Sequence, residues 1–423
     1  MQIHSHFDSS EGQDYQSRNE YFYEGSSPKL LDHLINYIDS HILEINAIYL
    51  VWYLYNNIKL HNYLKSLSKK GIKVVVISIP LEGYDKKYPS DIYHADNTVF
   101  KATVTKHDMA NEIYGETREN LVNFEFYEFP HTFVRSKWMK VFSRGDLPYS
   151  LHTKSIYIHH KNSIRSVILS SSNFALRDKV KEENMIIFRS ESEAERKEFF
   201  PIFKFLKDIK LYIRPVQPSG TNSQFDNKLD VIEGVNSGTF NVMAPFYRDS
   251  PIIIKNKINN LIMNAKSRVY VVSQHLAGSS NDSIVHSILN KGREGLDVRC
   301  LTQTSSDKRA GRQVMNSRAF KNFLDNYLSL GSNAKYYVNN NVHNKYIIVD
   351  NVLIVTTFNY TPTQFTYIED VKIPAFDSNP SLSYEGVHSE VGHMAVTEDP
   401  KTIDLYEHNF LSNISKESTV ELK

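Results

Sequence analysis

Residues 342–359 read VHNKYIIVDNVLIVTTFN, and residues 150–173 read SLHTKSIYIHHKNSIRSVILSSSN. Each opens with His-x-Lys, runs through an apolar stretch, turns, and runs through a second apolar stretch ending in small hydroxyl residues and Asn. Both runs are short, rich in branched residues and bounded by polar turns, which predicts paired, buried strands. The same order of motifs in two places makes the chain an internal repeat, and the segments flanking the two copies decide the fold.

Upstream of each copy lies a second shared pattern. Residues 46–79 (NAIYLVWYLYNNIKLHNYLKSLSKKGIKVVVISI) and 264–303 (NAKSRVYVVSQHLAGSSNDSIVHSILNKGREGLDVRCLTQ) each hold an apolar run, a helix-period stretch, Lys and Gly, and another apolar run. Ile48 to Tyr53 and Val269 to Val272 suit buried strands. Leu60, Leu64 and Leu67, and in the other unit Ile284, Ile288 and Leu289, recur at helical spacing. Gly71 and Gly295 end the helices, where a left-handed cap favours glycine. Strand, helix and strand in this order call for parallel strands with a right-handed crossover. Downstream, an acidic residue precedes the last strand of each copy, Glu183 in one and Glu390 in the other. Helical segments, Glu193 to Leu206 and Thr402 to Leu411, close the copies.

The expected fold is α/β: two similar α/β/α sandwich subdomains related by a pseudo-twofold, with one site at their interface. The organisation reads as a polar N-terminal arm (1–27), repeat one (28–210), a turn-rich linker containing PVQPSGTNSQ (211–239) and repeat two (240–423). The repeats differ by inserts at 81–150 and 361–388. Long inserts beside a site serve as lids or substrate walls, or are surface decoration.

Composition narrows the function classes. The chain has 423 residues, 41% hydrophobic and 23% charged, which excludes wholesale disorder. The formal net charge is +1, so there is no strongly basic or acidic tail, although a local basic groove remains compatible. The single cysteine, Cys300, excludes an intrachain disulfide framework and a multi-thiolate zinc site. It lies in an apolar strand and reads as core. The N-terminus shows no secretory pattern, and the apolar stretches fall well short of the ~20 residues of a membrane span. The expectation is a cytoplasmic protein with no transmembrane segment. No HExxH spacing, Walker loop or dinucleotide loop is present, so no metal and no cofactor are expected.

The chemistry lies in the repeated motif. His-x-Lys occurs three times, at His152/Lys154, His159/Lys161 and His343/Lys345. Only the first and last sit at equivalent points of the repeat, and the middle one reads as surface or structural. On a strand, residues i and i+2 share a face, so each His and Lys point together. Asn173 and Asn359 end the neighbouring strands. Two repeats face to face would gather two imidazoles, two ammonium groups and two amides, a pocket for a phosphoryl group. Lys and Asn stabilise the non-bridging oxygens, one neutral His attacks phosphorus, and the other, protonated, donates to the leaving oxygen.

This arrangement resembles the phospholipase D superfamily, whose signature is His-x-Lys-x4-Asp followed by Gly-Ser-x-Asn. In repeat two, His343, Lys345 and Asp350 match in spacing, and Thr356-Thr357-Phe358-Asn359 stands for the second part, one residue early. In repeat one, His152 and Lys154 match, Ser170-Ser171-Ser172-Asn173 corresponds to the second part, and His159 occupies the Asp position. The resemblance implies that Asp350, Ser171 and Thr357 are structural motif residues. It also implies a metal-independent, two-step phosphodiester cleavage through a phosphohistidine. The nucleophile falls to His152 by analogy, with the reverse assignment open. In that family an acidic residue orients a catalytic His through its second ring nitrogen, a role for which Glu183 and Glu390 are the candidates.

The expected enzyme is a phosphodiester hydrolase acting on nucleic acid, a nuclease or related phosphodiesterase. The alternatives are a phospholipase D-type lipid hydrolase or transphosphatidylase, with an acyl groove built by the inserts, and a non-catalytic binding protein that keeps the fold. Basic and aromatic residues interleave over 133–144 around Trp138, and Lys308, Arg309 and Arg312 follow a strand of repeat two. These are the candidate substrate contacts, and a wet helix face or a solvated loop is the competing reading.

Overall fold

The computed structural model describes residues 1–8, 29–55, 57–79, 121–131, 150–174, 181–216, 229–278, 281–303, 325–331, 333–373 and 384–422. Trp138, Lys308, Arg309 and Arg312 lie outside them, as does most of the 81–150 insert.

Repeat one builds β1 (Gln2–Asp8), α1 (Lys29–Ser40), β2 (Ile45–Trp52), α2 (Ile58–Lys69), β3 (Lys73–Ser78), β4 (Phe124–Glu128), β5 (Lys154–His160), β6 (Arg165–Ser170), β7 (Glu183–Arg189), α3 (Phe200–Asp208) and β8 (Arg214–Pro215). Repeat two runs β9 (Phe240–Met243), α4 (Ser250–Met263), β10 (Arg268–Ser273), α5 (Ile284–Arg293), β11 (Asp297–Thr302), β12 (Ala334–Val338), β13 (Tyr346–Val349) and β14 (Val352–Thr356). It continues with the hairpin β15 (Ile368–Ile373) and β16 (Tyr384–His388), then β17 (Gly392–Thr397), α6 (Pro400–Ile414) and β18 (Val420–Leu422).

Among the described residues each repeat forms one eight-stranded mixed sheet. The orders are β1-β7-β6-β5-β2-β3-β4-β8 and β9-β17-β14-β13-β10-β11-β12-β18, the same topology twice. The strand pairs β2/β3 and β10/β11 are parallel, as a strand–helix–strand unit requires. Gly71 and Gly295 both take left-handed backbone, φ 89° and 88°, at the turn into the second parallel strand. Central strands are buried on both faces, which is why they read as continuous apolar runs.

The repeat begins earlier than its composition indicates. Residues 1–27 read as a polar arm, but β1 is the antiparallel edge partner of β7, as β9 is of β17. Its polar residues belong to a half-buried edge strand, which hides the strand signal. Part of the linker is also structured: β8 pairs with β4 just as β18 pairs with β12.

The repeats share a core. One cluster runs from Leu50, Ile156 and Ile186 to Val242, Leu301, Ile348 and Val355, so the sheets close over one another. The last helix of each repeat crosses over, α3 against β9 and α6 against β1. Among the described residues no helix is long and apolar enough to cross a membrane.

Candidate active site

Among the described residues the two repeats meet through four main-chain hydrogen bonds. Val391 N donates to Ser150 O (2.7 Å) and His152 N to Val391 O (3.2 Å). Glu182 N donates to Asn341 O (2.7 Å) and His343 N to Glu182 O (2.9 Å). Each histidine of a His-x-Lys pair is thereby anchored on the backbone of the other repeat. The histidines lie just before β5 and β13, on the extended chain that leads into them, and the paired lysine comes at or just before the strand start. The lysines bend back: Lys154 Nζ donates to His152 O at 3.2 Å, and Lys345 Nζ to His343 O at 2.7 Å. Both ammonium groups are buried, so their field acts at short range with little solvent screening.

The carboxylates cross between repeats. Glu183 of repeat one accepts from His343 Nδ1 of repeat two at 2.7 Å, and its other oxygen accepts from Ser171 Oγ. Glu390 of repeat two faces His152 of repeat one, Oε2 to Nδ1 3.9 Å, beyond hydrogen-bond range. His152 keeps 24% of its side-chain surface open to solvent. Burial of its ring, reinforced by the charges of Lys154 and Lys345 and by His275, holds its pKa well below the usual imidazole range.

The asparagines lie just past the ends of β6 and β14, where neighbouring side chains hold them. Asn173 O accepts from Trp52 Nε1 at 3.0 Å, and the Trp52 ring stacks on Phe174. Phe174 itself takes left-handed backbone, φ 56°, with its carbonyl tied to Asn57 Nδ2 at 2.7 Å. Such a conformation persists only where the surroundings enforce it. Asn359 Oδ1 accepts from Ser273 Oγ at 3.4 Å. Ser273 stands at the end of β10 as Trp52 stands at the end of β2.

Beneath the site a network of hydroxyls and one imidazole joins the repeats. Thr153, between His152 and Lys154, meets His393 Nδ1 at 2.5 Å and accepts from Thr357 Oγ1 at 3.3 Å. His393 N donates to Thr357 Oγ1 (3.0 Å), and Tyr157 OH lies 2.9 Å from His393 Nε2. Burial alone holds His393 down at about 3, so the ring stays neutral.

Asp350 sits at a tight turn with φ 49° and accepts from Lys266 N (2.8 Å), Ser267 N (2.9 Å), Ser267 Oγ (2.6 Å) and Arg268 N (3.0 Å). Burial raises its pKa, but these donors outweigh it and bring the carboxyl to about 2. Its work is to pin the β13–β14 turn to the start of β10. His159, at the corresponding motif position, packs on Tyr49 and Phe203 instead. Cys300 is buried, its thiol pushed up to about 12 by burial, in keeping with a core role.

The structure therefore sets His152 by Glu390, His343 by Glu183, and Lys154 and Lys345 within electrostatic reach of His152, with Asn173 and Asn359 just past the ends of β6 and β14. It also adds residues that the motif does not contain. Tyr53 stands edge-on to His152 (5.1 Å between centroids), with Lys154 Nζ 5.3 Å from its ring. His275 influences the charge of His152. Gln364 Nε2 donates to Glu390 at 3.1 and 3.3 Å. Tyr53 and His275 come one and two residues after the ends of β2 and β10, and the carboxyl ends of parallel strands are where α/β sites form, a signal that could have found them. Gln364 carried no such signal.

Comparison with known proteins fits this geometry. Residues 258–412 match a family described as cardiolipin synthase, PLD-like domain. Phosphatidylserine synthase of Haemophilus influenzae Rd KW20 superposes with a TM-score of 0.54 at 12% identity, over 99% of this chain and 87% of that one. Polyphosphate kinase of Porphyromonas gingivalis gives 0.52 at 9% identity over 100% of this chain, which spans about half of that protein (48%). A phospholipase D family member, Nuc of Salmonella typhimurium, aligns with 44% of the chain at 14% identity and a TM-score of 0.30. No curated protein sequence matches. The family match lies on repeat two, and over the whole chain the fold is similar to that of the phosphatidylserine synthase and polyphosphate kinase structures.

Proposed function

We propose that this protein is a metal-independent phosphodiesterase that works through a phosphohistidine on His152, with nucleic acid as its substrate. The observation that carries the reading is the crossed pairing of two His-x-Lys units with two buried carboxylates at the repeat interface. His152 Nε2 attacks phosphorus, and the bond to the leaving oxygen breaks. His343 gives that oxygen its Nε2 proton. His343 then takes a proton from water, whose oxygen attacks phosphorus and releases His152. Lys154, Lys345, Asn173 and Asn359 hold the non-bridging oxygens as charge develops. The assignment of roles rests on the two environments. His343 is bonded to Glu183, which holds an imidazolium, whereas His152 is kept neutral and partly open, as an attacking group must be.

The nucleic-acid reading is taken from the basic and aromatic residues that interleave in the sequence over 133–144 and from Lys308, Arg309 and Arg312. Lipid is the alternative substrate, since Ile368 in the 361–388 insert is half exposed.

The test is hydrolysis of bis(p-nitrophenyl) phosphate in excess EDTA by wild type and His343→Ala. EDTA-resistant turnover that falls by about 10³-fold or more in the variant supports the mechanism. Equal rates in the two proteins, or activity abolished by EDTA, overturns it. Single-stranded DNA, duplex DNA, RNA and phospholipid vesicles then compete as substrates. Cleavage of vesicles in preference to every nucleic acid favours the lipid alternative, and nucleic-acid binding should weaken steeply with salt.

A further inference from the structure

The pseudo-twofold breaks at the carboxylates. Ser170 pairs with Met185 in repeat one, and Thr356 with Met394 in repeat two. Ser171 N donates to Asn184 O, and Thr357 N to His393 O. By this register Asn184 corresponds to His393, and Glu183 corresponds to Gly392. Glu390 is two residues too early to be the counterpart of Glu183.

Packing explains the displacement. A Cβ on residue 392 would lie 2.5 Å from Met243 Cε and 2.6 Å from Phe358 Cδ1. Phe358 occupies the motif position at which repeat one has Ser172, and it fills the place a side chain would need. The carboxylate that serves His152 therefore comes from position 390, and it stops 3.9 Å short of the ring. Among the described residues His152 Nδ1 is buried without a hydrogen-bond partner, while His343 Nδ1 is bonded at 2.7 Å. Both oxygens of Glu390 are instead engaged by Gln364 Nε2. Gln364 is only 9% exposed. Its own carbonyl accepts from Thr361 Oγ1, and the next residue, Phe365, packs edge-on against Phe358. The bulk at 358 and the amide at 364 belong to one packed unit.

We propose that Gln364 is a positioning residue that draws Glu390 away from His152, so that the two histidines enter the reaction unequal, one seated on its carboxylate and one not. The catalytic meaning rests on the function proposed above, but the geometric claim is testable without turnover. In catalytic terms, a His152 without a carboxylate is a weaker base. It stays neutral for attack and departs more readily from phosphorus in the second step.

The experiment uses the full chain labelled with 15N-histidine, with His152 signals assigned by their loss in His152→Gln. Ring nitrogens are followed from about pH 5 to about pH 8 in wild type, Gln364→Met and Gln364→Met/Glu390→Gln. Wild-type His152 is expected to remain neutral throughout. In Gln364→Met the released carboxylate reaches Nδ1, and the midpoint rises by about one unit or more. The double variant returns to wild-type behaviour, because the carboxylate is gone. An unchanged midpoint in Gln364→Met, or a shift that survives in the double variant, overturns the proposal. Should Gln364→Met not fold, Glu390→Gln alone decides. A wild-type ring already locked with its proton on Nδ1, and released by Glu390→Gln, overturns it, whereas identical tautomer populations support it. Where the protein turns over, the acid limb of kcat/KM in Gln364→Met moves up with the midpoint, with KM held within about twofold. A protein that hydrolyses no phosphodiester but shows the shift sinks the proposed function and leaves this inference standing.

Discussion

Glu183 and Glu390 look alike in the chain and differ in the groups they touch. Glu183 is fully buried between His343 and Ser171, so replacing it removes the carboxylate bonded to that ring. Glu183→Gln is expected to lower kcat by about 10²-fold with little change in KM, since an imidazolium acid loses its counter-charge. Glu390→Gln is expected to cost about tenfold or less, because Glu390 already stands off His152. Steady-state kinetics of the two variants side by side check the difference, and equal losses would count against it. The motif residues themselves were legible, because His-x-Lys and Asn recur at matching points of a repeated strand pattern. Their ranking was not, because it depends on small differences in a contact between residues more than a hundred positions apart.

At the scale of elements, the approach to β17 is the tightest point of the site. Gly392 lies against Phe358 and Met243, and the same short stretch carries Glu390 and Val391, the latter bridged to Ser150 and His152. Gly392→Ala is expected to cost about 1–3 kcal/mol in urea unfolding, the usual penalty for overpacking. It should also lower kcat, by shifting Glu390 with the backbone. Gly71→Ala meets no neighbour and is penalised only for its left-handed backbone, so it serves as the control with intact kcat. The β-α-β units, the glycine caps and the closing helices could be read from periodicity. Strand β1 could not, because QIHSHFD is a half-buried edge whose partner, β7, is remote in sequence.

On the scale of the whole molecule, burial of neutral histidines links stability to pH. His160 and His393 are buried, with pKa values lowered to about 4 and about 3, chiefly by desolvation. In the unfolded chain each titrates near 6.5. Below that pH the unfolded state binds protons that the folded state refuses, so folding is favoured fully above about 6.5 and loses ground as pH falls toward 4. The slope approaches about 1.4 kcal/mol per pH unit for each such histidine. Asp8, raised to about 6 by burial, opposes this in part, since its folded form takes up a proton first. Thermal melts from about pH 7 to about pH 5 should show Tm falling, with a smaller fall in His393→Gln relative to its own value at pH 7. A flat profile would mean that these rings accept protons without unfolding. The site at the repeat interface should be lost together with the fold, since one core runs through both sheets.

The sequence by itself determined the duplication, the α/β class, the β-α-β unit of each repeat, and the recurring His-x-Lys and Asn pattern. These are local properties: strand alternation, helical spacing and turn chemistry act over a few residues and leave their mark in composition. The tertiary structure alone decided which carboxylate faces which histidine, that Phe358 leaves room only for glycine at 392, and that Gln364 joins the site. Those outcomes arise where two sheets dock. There the available volume and the nearest donor are set by side chains brought in from the other repeat or from across the fold, and no local pattern records them.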